Sequence, residues 1–479
     1  MTNRSILLCY TLLAYFFFLL WVAPMNLLTF DTYYYWEWSR HLALSYYDGS
    51  PMIAYLIKCS TWLFGDTLFA LSVVGITSQG LTCAILYKTA RLFLTQEASL
   101  LAMSLWLFSP LVTIDVLKQT TYDTPLALFW ALTLYFTARY ITFKTPRNLY
   151  GIGLAIGLMM LSKYTGAVLI LALLLFLLTP PYRFLLKTRP FYALFLISLV
   201  LFSPVIIWNY QHDWQSFLYQ LTTHQLTKTS NPLWNMLTSF ICILLPSLNF
   251  MLIPPLLCWL KKPRAGYFSL KITDSTEKKL VSLCRLIGTV FLCFYLISAS
   301  QAAIKSCWLT PYLLTSALLA GYCADAFHRQ RSLTLLLGFY ILVSVCILIN
   351  NTLRFHLTTP KKLIEYQLIQ AFNVSHPTPP KMVIAPGWFE ARMLFFLNDH
   401  PAVYTMACGS QENQYALWSA PIVKQIKAKL IKSVLYIDPY DRVSCIKPYF
   451  DKCTPLVTPT IFYKKTPYHL FVYTCTNGT

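Results

Sequence analysis

SILLCYTLLAYFFFLLWVAP (Ser5 to Pro24) is followed closely by DTYYYWEWSRHLALSYYDGSP (Asp31 to Pro51). The first string is uncharged and has the length an α-helix needs to cross a hydrocarbon core. It lacks a small-x-small cleavage site and runs into Pro24, so it reads as a retained anchor rather than a removed signal peptide. The second string is an aromatic-rich loop that carries Asp31, Glu37 and Asp48. Ionisable groups beside a bilayer core are costly, which marks Asp31 as a functional carboxylate. The competing reading is a helix N-cap, a position that Asp favours.

The same alternation continues along the chain. Of its 479 residues, 57% are hydrophobic and 12% charged, against about 25% charged in an average globular chain. Apolar runs near 5–24, 67–87, 98–116, 124–142, 149–161, 164–180, 190–208, 233–259, 283–301, 307–326 and 333–350 predict about eleven spans of a polytopic α-helical membrane protein. Basic residues crowd alternate loops: Lys88 and Arg91, then Arg139, Lys144 and Arg147, then Arg183, Lys187 and Arg189, then Lys261 to Arg285, then Arg329 and Arg331. This bias puts the N-terminus in the cytoplasm and everything after about residue 351 outside. It also accounts for the net charge of +20 without nucleic acid as a partner. Asp31, Glu37, Asp48, Asp66, Asp115, Asp123 and Asp213 fall on the outer side, where chemistry is therefore expected.

Two units are predicted: a membrane body over 1–351 and a small α/β extracytoplasmic domain over 352–479. In the latter, KMVIAP (Lys381 to Pro386), AVYTM, SVLYI, TIFYKK and HLFVYTC read as strands, and FEARMLFFL (Phe389 to Leu397) as a helix. Within the first loop, WEWSRHLAL and PMIAYLIKCSTWLF have the spacing of helices lying in the interface plane, forming a platform. Cys408, Cys445, Cys453 and Cys475 of the tail can pair in an oxidising compartment, with the connectivity open. The eight His residues show no metal-ligand spacing. No cofactor is required by the sequence, and scattered carboxylates leave a divalent metal open.

Five segments, in order, resemble a known family. Asp31 with YYYWEWSRHLALSYYDGSPMIAYLI resembles the first outer loop of the polyprenyl-phosphate-sugar-dependent glycosyltransferases of GT-C fold. That group includes the protein O-mannosyltransferases and the lipid A aminoarabinose transferase. TTYDTPLALFWALTLYF (Thr120 to Phe136), LMMLSKYTGAVLI (Leu158 to Ile170), SPVIIWNYQHDWQSFLYQ (Ser203 to Gln220) and CWLTPYLLTSALLAGY (Cys307 to Tyr322) resemble its later segments. FLNDHPAVYTMACGSQENQYALW resembles its outer domain. The resemblance implies sugar transfer from a polyprenyl phosphate donor at the periplasmic face of a bacterial inner membrane. The implied acceptor is a glycolipid of lipid A or lipopolysaccharide type, with a protein as the alternative.

It also implies roles. Asp31 matches the first-loop acid and is the expected general base. Asp48 and Asp123 match the second and third acids, expected to bind the acceptor or support the base; for Asp123, a helix cap before Pro125 competes. Lys163, His212 and Lys118 are expected to receive the donor phosphate, since positive charge eases its departure. A Lys at a span end also snorkels to headgroups. Asp213 is placed to orient His212, while Tyr34, Trp208 and Asn209 support the site; Trp208 and Trp214 also suit an aromatic belt. Two departures stand out. Thr32 follows Asp31 where the family commonly has Glu, and Gly49-Ser50-Pro51 follow Asp48 where it has a His or Lys before Pro. The second departure removes a phosphate contact at position 49. A transporter or lipid flippase is the rival class, but no internal repeat is visible; an inactive scaffold is a further one.

Overall fold

The structure is a computed structural model. It describes residues 3–25, 27–113, 120–223, 233–234, 237, 274–299, 306–326, 330–357, 361–377, 382–385, 394–406, 413–456, 458, 460–463 and 466–478. Two compact units emerge. One comprises Met1–Met25 with Leu42–Leu348; the other comprises Asn26–His41 with Ile349–Thr479. The sequence reading places a single division at residue 351; by contacts the C-terminal stretch of the second unit begins at Ile349. The two differ at the first loop, because residues 26–41 pack with the C-terminal part.

The first unit is helical. It contains α1 (Asn3–Val22), α3 (Met52–Phe64), α4 (Leu68–Ala90), α5 (Gln96–Leu107), α6 (Asp123–Phe143), α7 (Arg147–Ser162), α8 (Ala167–Leu177), α9 (Arg189–Gln211), α10 (Asp274–Ala299) and α11 (Thr310–Ala326). The helix α12 (Gln330–Leu357) begins in it. Where they are described, the expected apolar runs outside 233–259 fall on helices; residues 114–116, 300–301 and all of 233–259 apart from 233–234 and 237 lie outside the described residues. Among the described residues, four helices are long and apolar enough to cross a membrane: α4, α6, α9 and Thr276–Ala299 of α10. Shorter apolar helices over the described residues are Met52–Phe64, Tyr164–Leu177 and Thr334–Ile347. The break at Lys163 is real, since its extended backbone (φ −161°, ψ 139°) ends α7 before a 3-10 turn opens α8.

Helix α7 packs on α6 and α9. The string GLAIG places Gly153 and Gly157 one turn apart toward α9, where a Cβ would come within 2.6 Å of the Leu194 carbonyl oxygen and of the Leu201 Cβ. Small residues at this spacing let two helices approach where no water drives them together. Such close packing fixes where the end of α7 delivers Lys163.

The second unit is a mixed α/β domain. The strands β1 (Met382–Ile384), β2 (Ala402–Tyr404), β3 (Ser433–Asp438), β4 (Lys452–Pro455) and β7 (Phe471–Thr476) form a sheet of order β2-β1-β3-β7-β4. β1 is parallel to β2 and β3, whereas β7 is antiparallel to β3 and β4. β5 (Thr460–Tyr463) pairs antiparallel with β6 (Thr466–His469). Of the helix expected over Phe389–Leu397, residues 389–393 lie outside the described residues. The helices α13 (Lys361–Ser375) and α14 (Gln414–Lys427) were not foreseen. Cys453 and Cys475 face each other across β4 and β7 and are bonded; Cys408 lies outside the described residues.

Helix α2 (Phe30–Arg40) belongs to this second unit. Its aromatic residues pack within that unit. Trp36 is fully buried against Phe395 and His400, and Tyr33 lies against Phe395 and Phe396. The predicted helix over WEWSRHLAL stops at Arg40, which donates to the His400 carbonyl oxygen at 2.9 Å. The second expected interfacial segment, α3, belongs to the first unit.

Candidate active site

Helix α6 starts at Asp123 and α7 ends before Lys163, and these two ends meet. The Lys163 ammonium lies 2.6 Å from Asp123 Oδ1, with both side chains about nine-tenths buried (11% and 9% exposed). Lys163 also sits 4.4 Å from the Tyr122 ring centre and 5.5 Å from that of Trp308. Aromatic faces stabilise a cation that has left water. The snorkelling reading of Lys163 is thereby replaced, because its head turns inward to a carboxylate. Asp123 is the first residue of α6, yet its side chain reaches Lys163 across forty positions rather than capping its own helix.

Asp123 Oδ2 makes no hydrogen bond among the described residues. Asp123 lines a cavity of about 40 Å³ together with Gln79, Thr121, Thr124 and Thr310. Gln79 is 4% exposed, and neither of its amide atoms has a hydrogen-bond partner among the described residues. Gly75, Trp106, Val112 and Ala127 make most of its wall apolar, and these few polar groups leave room for about one water molecule.

Asp48 lies in a tight turn closed by paired hydrogen bonds between Tyr46 and Gly49 at 3.1 and 3.2 Å. The departures noted in the sequence have a structural use here. The Ser50 hydroxyl donates to the Met160 carbonyl oxygen at 2.9 Å, tying the turn to the last turn of α7. The Ser45 hydroxyl lies 3.3 Å from the Tyr164 hydroxyl, which in turn lies 2.9 Å from Ser216 Oγ. Tyr164 thus joins the Asp48 turn to the WNYQHDW segment immediately beside Lys163.

That segment folds as the C-terminal turn of α9. Asn209, fully buried, donates to the Val205 carbonyl oxygen and accepts from the Phe217 amide. Asp213 and Trp214 take left-handed backbone angles (φ 51° and 59°) to reverse the chain. His212 Nδ1 bonds the Trp208 carbonyl oxygen at 2.9 Å, and its ring stacks on Trp208 at 4.0 Å. Its orientation therefore comes from Trp208 and not from the expected partner Asp213. Trp208 is 5% exposed and so is packing as much as belt.

Asp31 occupies the first turn of α2, whose N-cap is Thr29. The cap reading of Asp31 is thus superseded, although an acidic side chain in a first turn still suits the helix dipole. The Tyr34 hydroxyl accepts from the Gln414 amide at 2.8 Å, which gives this residue a role at the start of α14 inside the second unit. Lys118 lies outside the described residues. Tyr122, Tyr164, Trp308, Gln79 and Thr310 were not singled out from the sequence. All but Gln79 sit in or next to the motif strings, so adjacency was the available signal. Among the described residues, no three His, Cys, Asp or Glu side chains cluster as a metal ion would need.

The sequence of residues 48–208 matches the family model described as dolichyl-phosphate-mannose-protein mannosyltransferase. Over 193 residues the chain is 30% identical to the lipid A galacturonosyltransferase RgtD of Rhizobium johnstonii, covering 38% of each protein. Over 312 residues it is 25% identical to the undecaprenyl phosphate-alpha-4-amino-4-deoxy-L-arabinose arabinosyl transferase 1 of Proteus mirabilis, covering 61% of this chain and 53% of that relative. The aligned region thus spans about half or less of these curated relatives. Among solved structures, ArnT from Cupriavidus metallidurans bound to undecaprenyl phosphate superposes with a TM-score of 0.69 at 14% identity, covering 99% of this chain and 98% of ArnT. The apo state of the same protein gives 0.68 at 13% identity. This likeness shows a helical GT-C fold.

Proposed function

We propose that this chain of GT-C fold, with the sequence pattern of the polyprenyl-phosphate-sugar-dependent glycosyltransferases, moves a sugar from a polyprenyl phosphate to a lipid A or lipopolysaccharide-type acceptor. The reaction takes place at the periplasmic face of a bacterial inner membrane, on a body of about eleven spans with the N-terminus cytoplasmic and the C-terminal domain periplasmic. The Lys163–Asp123 pair carries the reading. An ammonium held inside an apolar body by one carboxylate and two aromatic rings keeps two of its three N–H donors for another anion. A departing lipid phosphate is such an anion, and a donor too apolar to leave the bilayer must meet it there. His212, whose Nδ1–H is committed to the Trp208 carbonyl oxygen, donates toward phosphate through Nε2 only as an imidazolium.

In the proposed step an acceptor oxygen attacks the anomeric carbon as its proton passes to Asp31. The bond between that carbon and the phosphate oxygen breaks, and the phosphate leaves with the electron pair. A single displacement inverts the anomeric centre. Asp48 and Asp123 bind the acceptor or support the base; Lys118 is a further phosphate contact by sequence. Support for a glycolipid acceptor comes from RgtD, named for lipid A, and support for an undecaprenyl phosphate donor from the name of the Proteus transferase. A protein acceptor is the second reading, favoured by the mannosyltransferase description of the matching family model.

The test is transfer from an undecaprenyl-phosphate sugar in proteoliposomes. Asp31→Asn is expected to lower the rate by about 10²–10⁴-fold, the usual worth of a positioned base, with an unchanged melting midpoint. Full activity in that variant removes the base assignment. Movement of lipid across sealed vesicles with no new glycosidic bond would make the chain a flippase instead.

A further inference from the structure

A second cavity lies in the membrane body near the opposite end of α7, about 16 Å of helix away from Lys163. It has a volume of about 250 Å³ and is lined by Ile152 and Ile156 of α7, Leu174 of α8, Phe195 of α9, and Tyr140 and Tyr182. It forms because α9 packs on α7 whereas α8 packs on α10, so that α8 and α9 stand apart. Leu174 and Phe195 are 45% and 60% exposed, so the cleft opens on the surface that lipid covers. Its two aliphatic hydroxyls are spent within the helices: Ser198 Oγ donates to the Gly153 carbonyl oxygen and Thr137 Oγ1 to that of Thr133. Water therefore has little to bind along its walls.

The closed end is different. The Tyr182 hydroxyl belongs to a residue 3% exposed and has no hydrogen-bond partner among the described residues. The Lys144 ammonium lies 4.5 Å from the Tyr182 ring centre and 5.3 Å from that of Tyr140. Neither Lys144 nor Lys279 has a carboxylate partner among the described residues. Burial, together with the nearby Lys279 charge, holds the Lys144 ammonium below its ordinary pKa. An apolar cleft open to lipid, ending in an orphan hydroxyl and two unpaired cations, fits one chemistry.

We propose that this cleft binds an anionic phospholipid, with one acyl chain in the cavity and the phosphate received by Lys144, Lys279 and the Tyr182 hydroxyl. Basic pockets between spans on the positively charged side of a membrane protein suit such headgroups. The site is separate from the sugar-transfer site and does not depend on the proposed reaction. A polyprenyl donor with its phosphate at Lys163 would present its headgroup to the other end of α7.

Native mass spectrometry of the full chain, with phosphatidylglycerol or phosphatidylcholine added to the detergent-purified protein, tests this. The wild type is expected to retain one phosphatidylglycerol about tenfold more strongly than phosphatidylcholine. The double variant Lys144→Gln, Lys279→Gln, whose changes lie outside the spans' core, is expected to lose that preference. Ile152→Trp, which fills the cavity, is expected to weaken retention of both lipids several-fold. Equal retention of the two lipids by the wild type, or an unchanged preference in the double variant, overturns the proposal. Displacement of phosphatidylglycerol by equimolar undecaprenyl phosphate overturns it in favour of the donor's tail. Displacement by inorganic phosphate alone overturns the role of the acyl chain.

Discussion

Two buried carboxylates, one in each unit, are held by cations in contrasting ways. Asp438 in the second unit is fully buried. It accepts from Arg442 Nε and Nη2 at 2.8 and 3.0 Å, from the Tyr436 hydroxyl at 2.8 Å and from the Tyr440 amide at 3.0 Å. Four donors fill the lone pairs of a carboxylate, so nothing is left for a ligand. Asp123 in the membrane body has one described side-chain donor, Lys163, and lines a small cavity. A closed network holds a fold in place, whereas an open one has capacity for a substrate. The difference lies in the number of lone pairs and N–H groups left over, not in burial, which is similar.

The comparison is broken most directly at Asp123. Asp123→Asn removes the charge that orients Lys163, and the proposed reading predicts a 10²–10³-fold loss of sugar transfer, the scale of losing one preorganised electrostatic contact. Initial rates in proteoliposomes check it. If the rate is intact and only the melting midpoint falls, the open pair is structural like the closed one.

Arg442→Met is the matching change in the second unit. It leaves Asp438 buried without its cation, which costs about 3–5 kcal/mol for a fully enclosed pair and about 2 kcal/mol here, because Arg442 is itself 42% exposed and screened. Chemical denaturation followed by tyrosine and tryptophan fluorescence reads this loss. A cost as large on transfer rate in the still-folded protein would show that the closed network also serves the reaction.

A smaller effect sharpens the contrast between buried and exposed pairs. Asp451 lies at the surface, where the hydrogen bond from Lys429 holds its carboxyl below the usual range. A depressed carboxylate stabilises the fold above the ordinary Asp pKa of about 3.9 and loses that contribution as pH falls through its folded value. The melting difference between the wild type and Asp451→Asn is therefore expected to be slight near pH 7 and to vanish in strong acid. A difference that grows on acidification would contradict the assignment.

Much of the body was legible because a bilayer imposes a length and a composition on each span, and α4, α6, α9 and α10 obey both. The strings around Asp123, Lys163 and His212 were legible as motifs. The Lys163–Asp123 pair was not, although each residue had been singled out. Forty positions separate them, and nothing in either string states that the two helix ends meet. Gln79, deep within α4, had no local mark at all.

Helix α2 shows the limit most clearly. Its aromatic, half-polar composition predicts burial in an apolar setting, and that much the chain alone dictated. A membrane interface and the interior of a folded domain make the same demand on such a helix, so composition could not choose between them. Only the contacts of Tyr33, Trp36 and Tyr34 with Phe395, His400 and Gln414 assign it to the second unit. Hydropathy thus settled which segments avoid water. Which segments avoid it together was decided by tertiary packing, because contact energies between distant positions leave no periodic trace in the sequence.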